Sequence, residues 1–297
     1  MSGSRSRSER LLAALSLHLP AAFAALAAIA IVVQLGLRER RPPVRCPSGL
    51  SWVEGRCCGG GQTLVAGHCD GAPTSCGPYQ QVATLGERSG CALRDDVVAL
   101  RGGTLPQGAA DWQVQSRTAK LQVAAFAIDR GEVTAARYEP CARAGACEPL
   151  PAELEPGLPV SGLTPAAAER FCRFVGGRLP SSAEWRYAAS GGDGRRFPWG
   201  FTGLVCRRSA FGLSAGPCSH AGEGPDLAGA RPPGATPEGV LDLSGNVAEW
   251  TRDPDGRYRA RGGSFRSRVA AELVAAAVES ASPKALHVGF RCVYAPD

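Results

Sequence analysis

The chain has 297 residues, 44% of them hydrophobic and 20% charged, so it can hold one large domain plus a small one with a proper core. Gly (38) and Pro (23) are abundant while aromatics are 6%, which argues against a helical bundle and for a loop-rich globular protein. The net charge of +6 is uneven: residues 1–45 hold seven Arg against two Glu, and the remainder carries 26 basic against 25 acidic residues, so no nucleic-acid partner is expected.

Residues 1–10 are a short basic tail, expected on the cytoplasmic side. Residues 11–37 contain no Asp, Glu, Lys or Arg. At about 1.5 Å per helical residue such a run crosses a bilayer core of about 30 Å. Arginines flank it on both sides, so charge alone does not orient it. A cleaved secretory signal is the alternative, because small-x-small triplets such as Ala22-Phe23-Ala24 occur. The run exceeds a usual signal core, and a transmembrane signal anchor is expected, followed by a basic linker over 38–45. The membrane is thus the first expected partner.

All twelve cysteines follow this segment. Six fall in 46–95 (Cys46, Cys57, Cys58, Cys69, Cys76, Cys91) and six later (Cys141, Cys147, Cys172, Cys206, Cys218, Cys292). Both counts are even and there is no C-x-x-C, so disulfides in an oxidising, extracytoplasmic compartment are expected, a bacterial periplasm by preference. A metal on Cys57, Cys58, His68 and Cys69 is the alternative. The spacing repeats: ten residues separate Cys46 from Cys57, and ten separate Cys58 from Cys69. Each copy reads as a strand, a turn and a return strand, with Cys76 to Cys91 a longer third copy. Neighbour pairing is expected: Cys46–Cys57, Cys58–Cys69 and Cys76–Cys91. A segment this small has little core, and bridges would be its main stabiliser. It reads as a stalk or spacer, with a ligand-binding mini-domain as the alternative.

From about residue 96 the texture changes. Residues 97–104 read as a strand into a glycine turn. Thr134 is placed to cap a short helix that contains Pro140. Thr164 followed by Pro165 marks a second helix start, with Phe171, Phe174 and Val175 as its apolar stripe and Gly176-Gly177 as its end. Ser181 and Glu184 form a capping box that opens a third helix, closed by Gly191. Residues 259–265 and 286–294 read as strands.

Six blocks then stand in order: Ile128-Asp129-Arg130-Gly131-Glu132-Val133-Thr134; Gly177-Arg178-Leu179-Pro180 running on to Tyr187; Pro198-Trp199-Gly200; residues 239–250 with Ser244-Gly245-Asn246-Val247-Ala248-Glu249-Trp250; Arg261-Gly262-Gly263-Ser264-Phe265; and Gly289-Phe290-Arg291-Cys292. These resemble the formylglycine-generating enzyme, or sulfatase-modifying factor, family. The resemblance covers residues 96–297 and implies an α+β, irregular, C-type-lectin-like domain. It says nothing about residues 1–95.

Catalytic members of that family oxidise a substrate cysteine with copper and oxygen, and hold the metal with two cysteines after the Gly-Gly-Ser block. Those positions fall on Ser267 and near Glu272, and no cysteine lies between Cys218 and Cys292. Soft Cu(I) needs thiolates, so neither copper nor formylglycine generation is expected, and no catalytic residue is assigned. Ala248 stands where the family usually has a tryptophan. The resemblance further implies a calcium ion held by the Asp242 and Glu249 side chains and the Gly245 and Val247 carbonyls, a donor set suited to Ca²⁺. The alternative is that Asp242 caps a turn and Glu249 pairs with an arginine. A family disulfide falls on Cys172 and Cys292, leaving Cys141–Cys147 and Cys206–Cys218 as local bridges. A second family bridge would fall at Ala189 and near residues 275–277, where both cysteines are missing. Three functions follow as expectations: a membrane-anchored, calcium-stiffened module binding a protein or glycan; a non-copper enzyme of the family, working in oxidation or cofactor tailoring and using Ser264, Ser267 and Glu272; or a purely structural envelope protein.

Overall fold

The computed structural model describes residues 50–53, 56–66, 68–76, 80–85, 88–106, 120–150, 154–212, 218 and 224–295. The chain divides into two units, 1–45 and 46–297. The first unit, with the expected membrane segment, and Cys46, with the pairing expected of it, lie outside the described residues. Among the described residues no helix is long and apolar enough to cross a membrane.

Among the described residues three hairpins come first. They join β1 (Leu50–Val53) to β2 (Arg56–Gly59), β3 (Thr63–Val65) to β4 (His68–Asp70), and β5 (Gln80–Leu85) to β6 (Arg88–Leu93). Disulfides Cys58–Cys69 and Cys76–Cys91 tie this segment. Its Gln62 is buried: the side-chain carbonyl accepts from Gly59 N (2.9 Å) and its amide donates to Gly71 O (2.8 Å). A polar side chain thus fills the place of a core residue.

The body is α+β, with few helices and much loop. β7 (Val97–Leu100) turns through Gly102 and Gly103 into β8 (Gly103–Pro106), which pairs with β9 (Lys120–Val123). β10 (Phe126–Asp129) runs antiparallel to β7 and, on its other edge, to β15 (Val293–Tyr294). Three helices follow: α1 (Ala135–Arg143), α2 (Pro165–Phe174) and α3 (Ser182–Ser190). Thr134, Thr164 and Ser181 cap them through their hydroxyls, and Glu184 completes the box on Ser181. Pro140 sits inside α1, where it removes one rung of the helix ladder. A second sheet runs in the order β13 (Val278–Glu279), β12 (Tyr258–Arg261), β11 (Ala248–Arg252), β14 (Val288–Gly289), with only the last pair parallel.

Three readings of the sequence are corrected. Phe174 is 46% exposed, because α2 buries Ala167, Ala168, Phe171 and Cys172, and Phe174 falls at the edge of that face. The strand expected over 259–265 stops at Arg261, because Gly262 and Gly263 take φ of +91° and +65° and turn the chain. At Gly262 an added Cβ would lie 3.0 Å from the Trp185 ring. The strand expected over 286–294 is split: Cys292 N donates to the Asp129 carboxylate (2.8 Å) and Cys292 O accepts from Asp129 N (2.9 Å), so residues 290–292 bond to residues 129–133 one rung at a time.

The core has two main parts. In the first, Tyr138 stacks on Phe171 (5.2 Å) and Phe171 meets Phe290 edge-on (5.6 Å), beside the Cys172–Cys292 disulfide. In the second, Leu105, Ile128, Leu243 and Val293 pack with Trp185 of α3. Ala189 and Ala275 are both buried in this second part, so small apolar side chains fill the place where the resemblance puts a further bridge. Fully burying one side chain of the size of Phe171 is worth about 1.5–3 kcal/mol. Cys141–Cys147 and Cys206–Cys218 close the remaining loops, and among the described residues no cysteine is free.

Candidate functional site

The loop between Leu241 and β11 is tied by several side-chain hydrogen bonds. Asp242 and Asn246 adopt positive φ (+56° and +58°), a conformation that Asp and Asn tolerate better than other residues with a side chain, and Gly245 takes +88°. These three kinks turn polar groups inward. The Asp242 carboxylate accepts from Gly229 N (2.5 Å). Asn246 accepts from Asp226 N (2.8 Å) and donates to Glu132 Oε2 (2.7 Å), while Glu132 Oε1 accepts from Val247 N (3.1 Å).

Glu249 lies two residues further on and is fully buried. Its Oε2 accepts from Trp185 Nε1 (2.7 Å) and Arg291 Nε (2.7 Å), and its Oε1 accepts from Arg291 Nη2 (2.6 Å). Arg291 spends its other donors on the Asp129, Arg130 and Leu241 carbonyls (2.7–3.2 Å). A buried fork on a carboxylate is the strongest form of this contact. Both contacts of the alternative reading are therefore present: Asp242 ties a turn and Glu249 pairs with an arginine.

The charges do not balance locally. Glu132, Asp242 and Glu249 are buried carboxyls acting on one another, and Arg291 is the buried guanidinium among them. Burial first, then the Asp242 and Glu249 charges, push the Glu132 carboxyl well above its ordinary value, and burial raises Asp242 as well. Such a group either keeps a proton or calls for a cation. Among the described residues no three His, Cys, Asp or Glu side chains are placed to hold a metal ion. The family-implied calcium set is of another kind, two carboxylates and two carbonyls within eight residues of chain.

The loop after β12 carries Ser264, Ser267 and Glu272. The serine hydroxyls are buried and tied into the turn: Ser267 Oγ accepts from Ser264 N (3.0 Å) and Ser264 Oγ from Arg266 N (3.1 Å). Glu272 is exposed and accepts from Arg268 N (3.1 Å). Each stabilises its own turn, and no hydrogen bond joins the carboxylate to the hydroxyls. Ala248 is the first residue of β11 and is fully buried.

Roles for Glu132 and Arg291 were not assigned from sequence, although both lie in the quoted blocks. Asp129 was missed in the same way; it accepts from Arg137 (2.8 Å), Tyr294 OH (2.8 Å) and Cys292 N. Charges flanked by buried apolar residues, as in Ile128-Asp129 and Phe290-Arg291-Cys292, were the available signal.

Residues 83–296 match the family described as Sulfatase-modifying factor enzyme 1-like domain, and the chain belongs to that family. Among curated proteins it is 29% identical over 174 residues to hercynine oxygenase of Mycolicibacterium thermoresistibile, covering 54% of this chain and 36% of that protein. It is 31% identical over 169 residues to the formylglycine-generating enzyme of Bos taurus, covering 46% of this chain and 44% of that protein. The chain thus spans less than half the length of either relative. Among solved structures, Treponema denticola variable protein 1 superposes with a TM-score of 0.54 at 18% identity, covering 74% of this chain and 100% of that one, a likeness of fold alone.

Proposed function

We propose that this chain is a membrane-anchored, extracytoplasmic member of its family that acts as a calcium-stiffened binding module for a protein or glycan, and not as a formylglycine-generating oxidase. The observation that carries this reading is the state of sulfur and hydroxyl around the expected copper positions. No cysteine lies between Cys218 and Cys292, every described cysteine is in a bridge, and Ser264 and Ser267 are spent on their own turn. The charge-free run over 11–37 and the placement of all twelve cysteines after it support the anchor and the compartment.

For calcium, the support is the excess of buried carboxyl over guanidinium around Asp242 and Glu249. The Asp242 and Glu249 side chains with the Gly245 and Val247 carbonyls would hold it, and Glu249 would share its charge between the ion and Arg291. The ion would supply rigidity to the loop that carries Asn246. The test is direct: full chain, Cu(I), oxygen and a Cys-x-Pro-x-Arg peptide, followed by mass spectrometry of the peptide. No formylglycine is expected, and its formation overturns the reading.

The likeness to hercynine oxygenase favours a second reading, a non-copper oxygenase built on the same fold. Its notional residues are Ser264, Ser267 and Glu272. Oxygen consumption by the full chain with hercynine, lost in Glu272→Gln, would establish it.

A further inference from the structure

Arg261 ends β12 beside the glycine pair that starts the Ser264 loop. Its register partner on β11 is Glu249, and the next pair on the same face of the sheet is Arg259 with Thr251. α3 covers these positions: Ser182 bonds Thr251 (3.1 Å), Trp185 bonds Glu249, and the Trp185 ring lies against Gly262. Arg186 follows Trp185 on the same helix. Arg261 is only 8% exposed.

Such burial calls for a counter-ion, and among the described residues no carboxylate bonds Arg261. Among the described residues Arg261 makes one hydrogen bond, Nη1 to Ala277 O at 3.3 Å, and its Nε is buried without an acceptor. Glu249 is already held by Arg291 and Trp185. Asp253, whose charge reaches Arg261, is bonded by Ser182 and by Arg259 (3.4 Å). Arg186 and Arg259 add charge of the same sign, and burial together with Arg186 pushes Arg261 down to about 10. Burial also lowers Arg186. A guanidinium has five donors in a planar fork suited to an oxyanion, and leaving it buried without a partner is costly.

We propose that Arg261, with Arg186 across the contact between α3 and the sheet, forms a binding site for an oxyanion: a carboxylate, sulfate or phosphate group on the molecule this domain recognises. The site adjoins the Gly262–Ser267 turn, which the copper reading leaves without a role. The inference gives the ligand chemistry of the binding module and rests on that reading only for the ligand's purpose.

The test uses the full chain at fixed ionic strength, with thermal melting followed as sodium acetate, sulfate or phosphate replaces chloride. A saturable rise is expected with at least one anion, reaching about 5 °C at a hundredfold excess over Kd. The general salting effect of sulfate is unsaturable and appears equally in variants. Arg261→Gln is expected to abolish the saturable part and Arg186→Gln to shift half-saturation about tenfold. Should Arg261→Gln fail to fold, Arg261→Lys carries the test, because it keeps the charge and loses the fork. No saturable rise with any of the three anions, or an unchanged half-saturation in the Arg261 variant, overturns the proposal. A response to acetate alone points to a carboxylate, and one to sulfate or phosphate to a tetrahedral group. Formylglycine production in the peptide assay would remove the binding reading without touching this result.

Discussion

The hairpin segment over 50–93 and the body over 97–295 hold themselves together by different means. The segment has short strands, a buried and doubly bonded glutamine, and bridges that join residues 11 and 15 apart. The body buries aromatic clusters and a forked ion pair, and its main bridge joins residues 120 apart. Covalent closure is local in one and global in the other. Damage to a bridge should therefore stay local in the segment and spread through the body.

The largest effect is expected from Cys172→Ala. On the chain-entropy model a loop of this length is worth about 5 kcal/mol, an upper figure, which is comparable with the whole stability of many domains. Calorimetry should show a sharp fall in Tm for the body, and Cys292 should become reactive to a thiol probe on heating. A fall of only a degree or two would show that the cores carry the body without it.

Glu249→Ala comes next. It leaves Arg291 buried without its partner, and a loss of about 3–5 kcal/mol is expected in chemical denaturation. The double variant Glu249→Leu with Arg291→Met should be less destabilised than the single one. The reverse order would show that the pair itself, and not the orphaned charge, sets the energy.

Cys58→Ala tests the other side of the comparison. The model value for a short loop is about 3 kcal/mol. The expected readout is faster amide exchange over 56–70 with protection in α2 and β10 unchanged. Loss of protection in both regions would show one cooperative unit and end the comparison.

The smallest effect concerns pH. The native Glu132 carboxyl holds its proton more tightly than the unfolded chain does. Its stabilising contribution is complete below the ordinary value of 4.5 and fades as pH rises towards the native value. In chelator, Tm should therefore fall from pH 5 to pH 8 more steeply in the parent than in Glu132→Gln. The variant should also lose about 1–3 kcal/mol overall, from one broken buried hydrogen bond. Calcium added at pH 8 should restore the parent and leave the variant less changed. Equal slopes in parent and variant would remove Glu132 from the account.

Much of the body was legible where the signal is local. Thr134, Thr164 and Ser181 announce their helices because a cap needs only the residue and its next three neighbours. The Cys58–Cys69 and Cys76–Cys91 bridges follow from spacing in the same way. The second sheet was only partly legible, because β13 and β14 have two residues each and no alternation can be read in two residues. The buried network was hidden for a further reason. Asp129 bonds Tyr294 from 165 residues away, and Arg291 reaches the Asp129 carbonyl from 162. In sequence each is one charged residue between apolar ones, and only the fold shows that they complete each other. The Ser264, Ser267 and Glu272 group is the converse: near neighbours in sequence whose side chains serve their own turn.

The long bridge also sets an order of events. Cys172 has no partner until the chain has grown a further 120 residues, while Cys141 and Cys147 are only six apart. Short loops close far sooner than long ones. The Cys141–Cys147 bond thus acts as a kinetic guard: by closing first, it withdraws from exchange the two thiols that precede Cys172 in the body. Without it, Cys172 would meet Cys141 or Cys147 before Cys292 existed. Slow oxidative refolding with trapped isomers is the signature to expect when that six-residue loop is opened, even though the loop itself adds little to the stability of the finished domain.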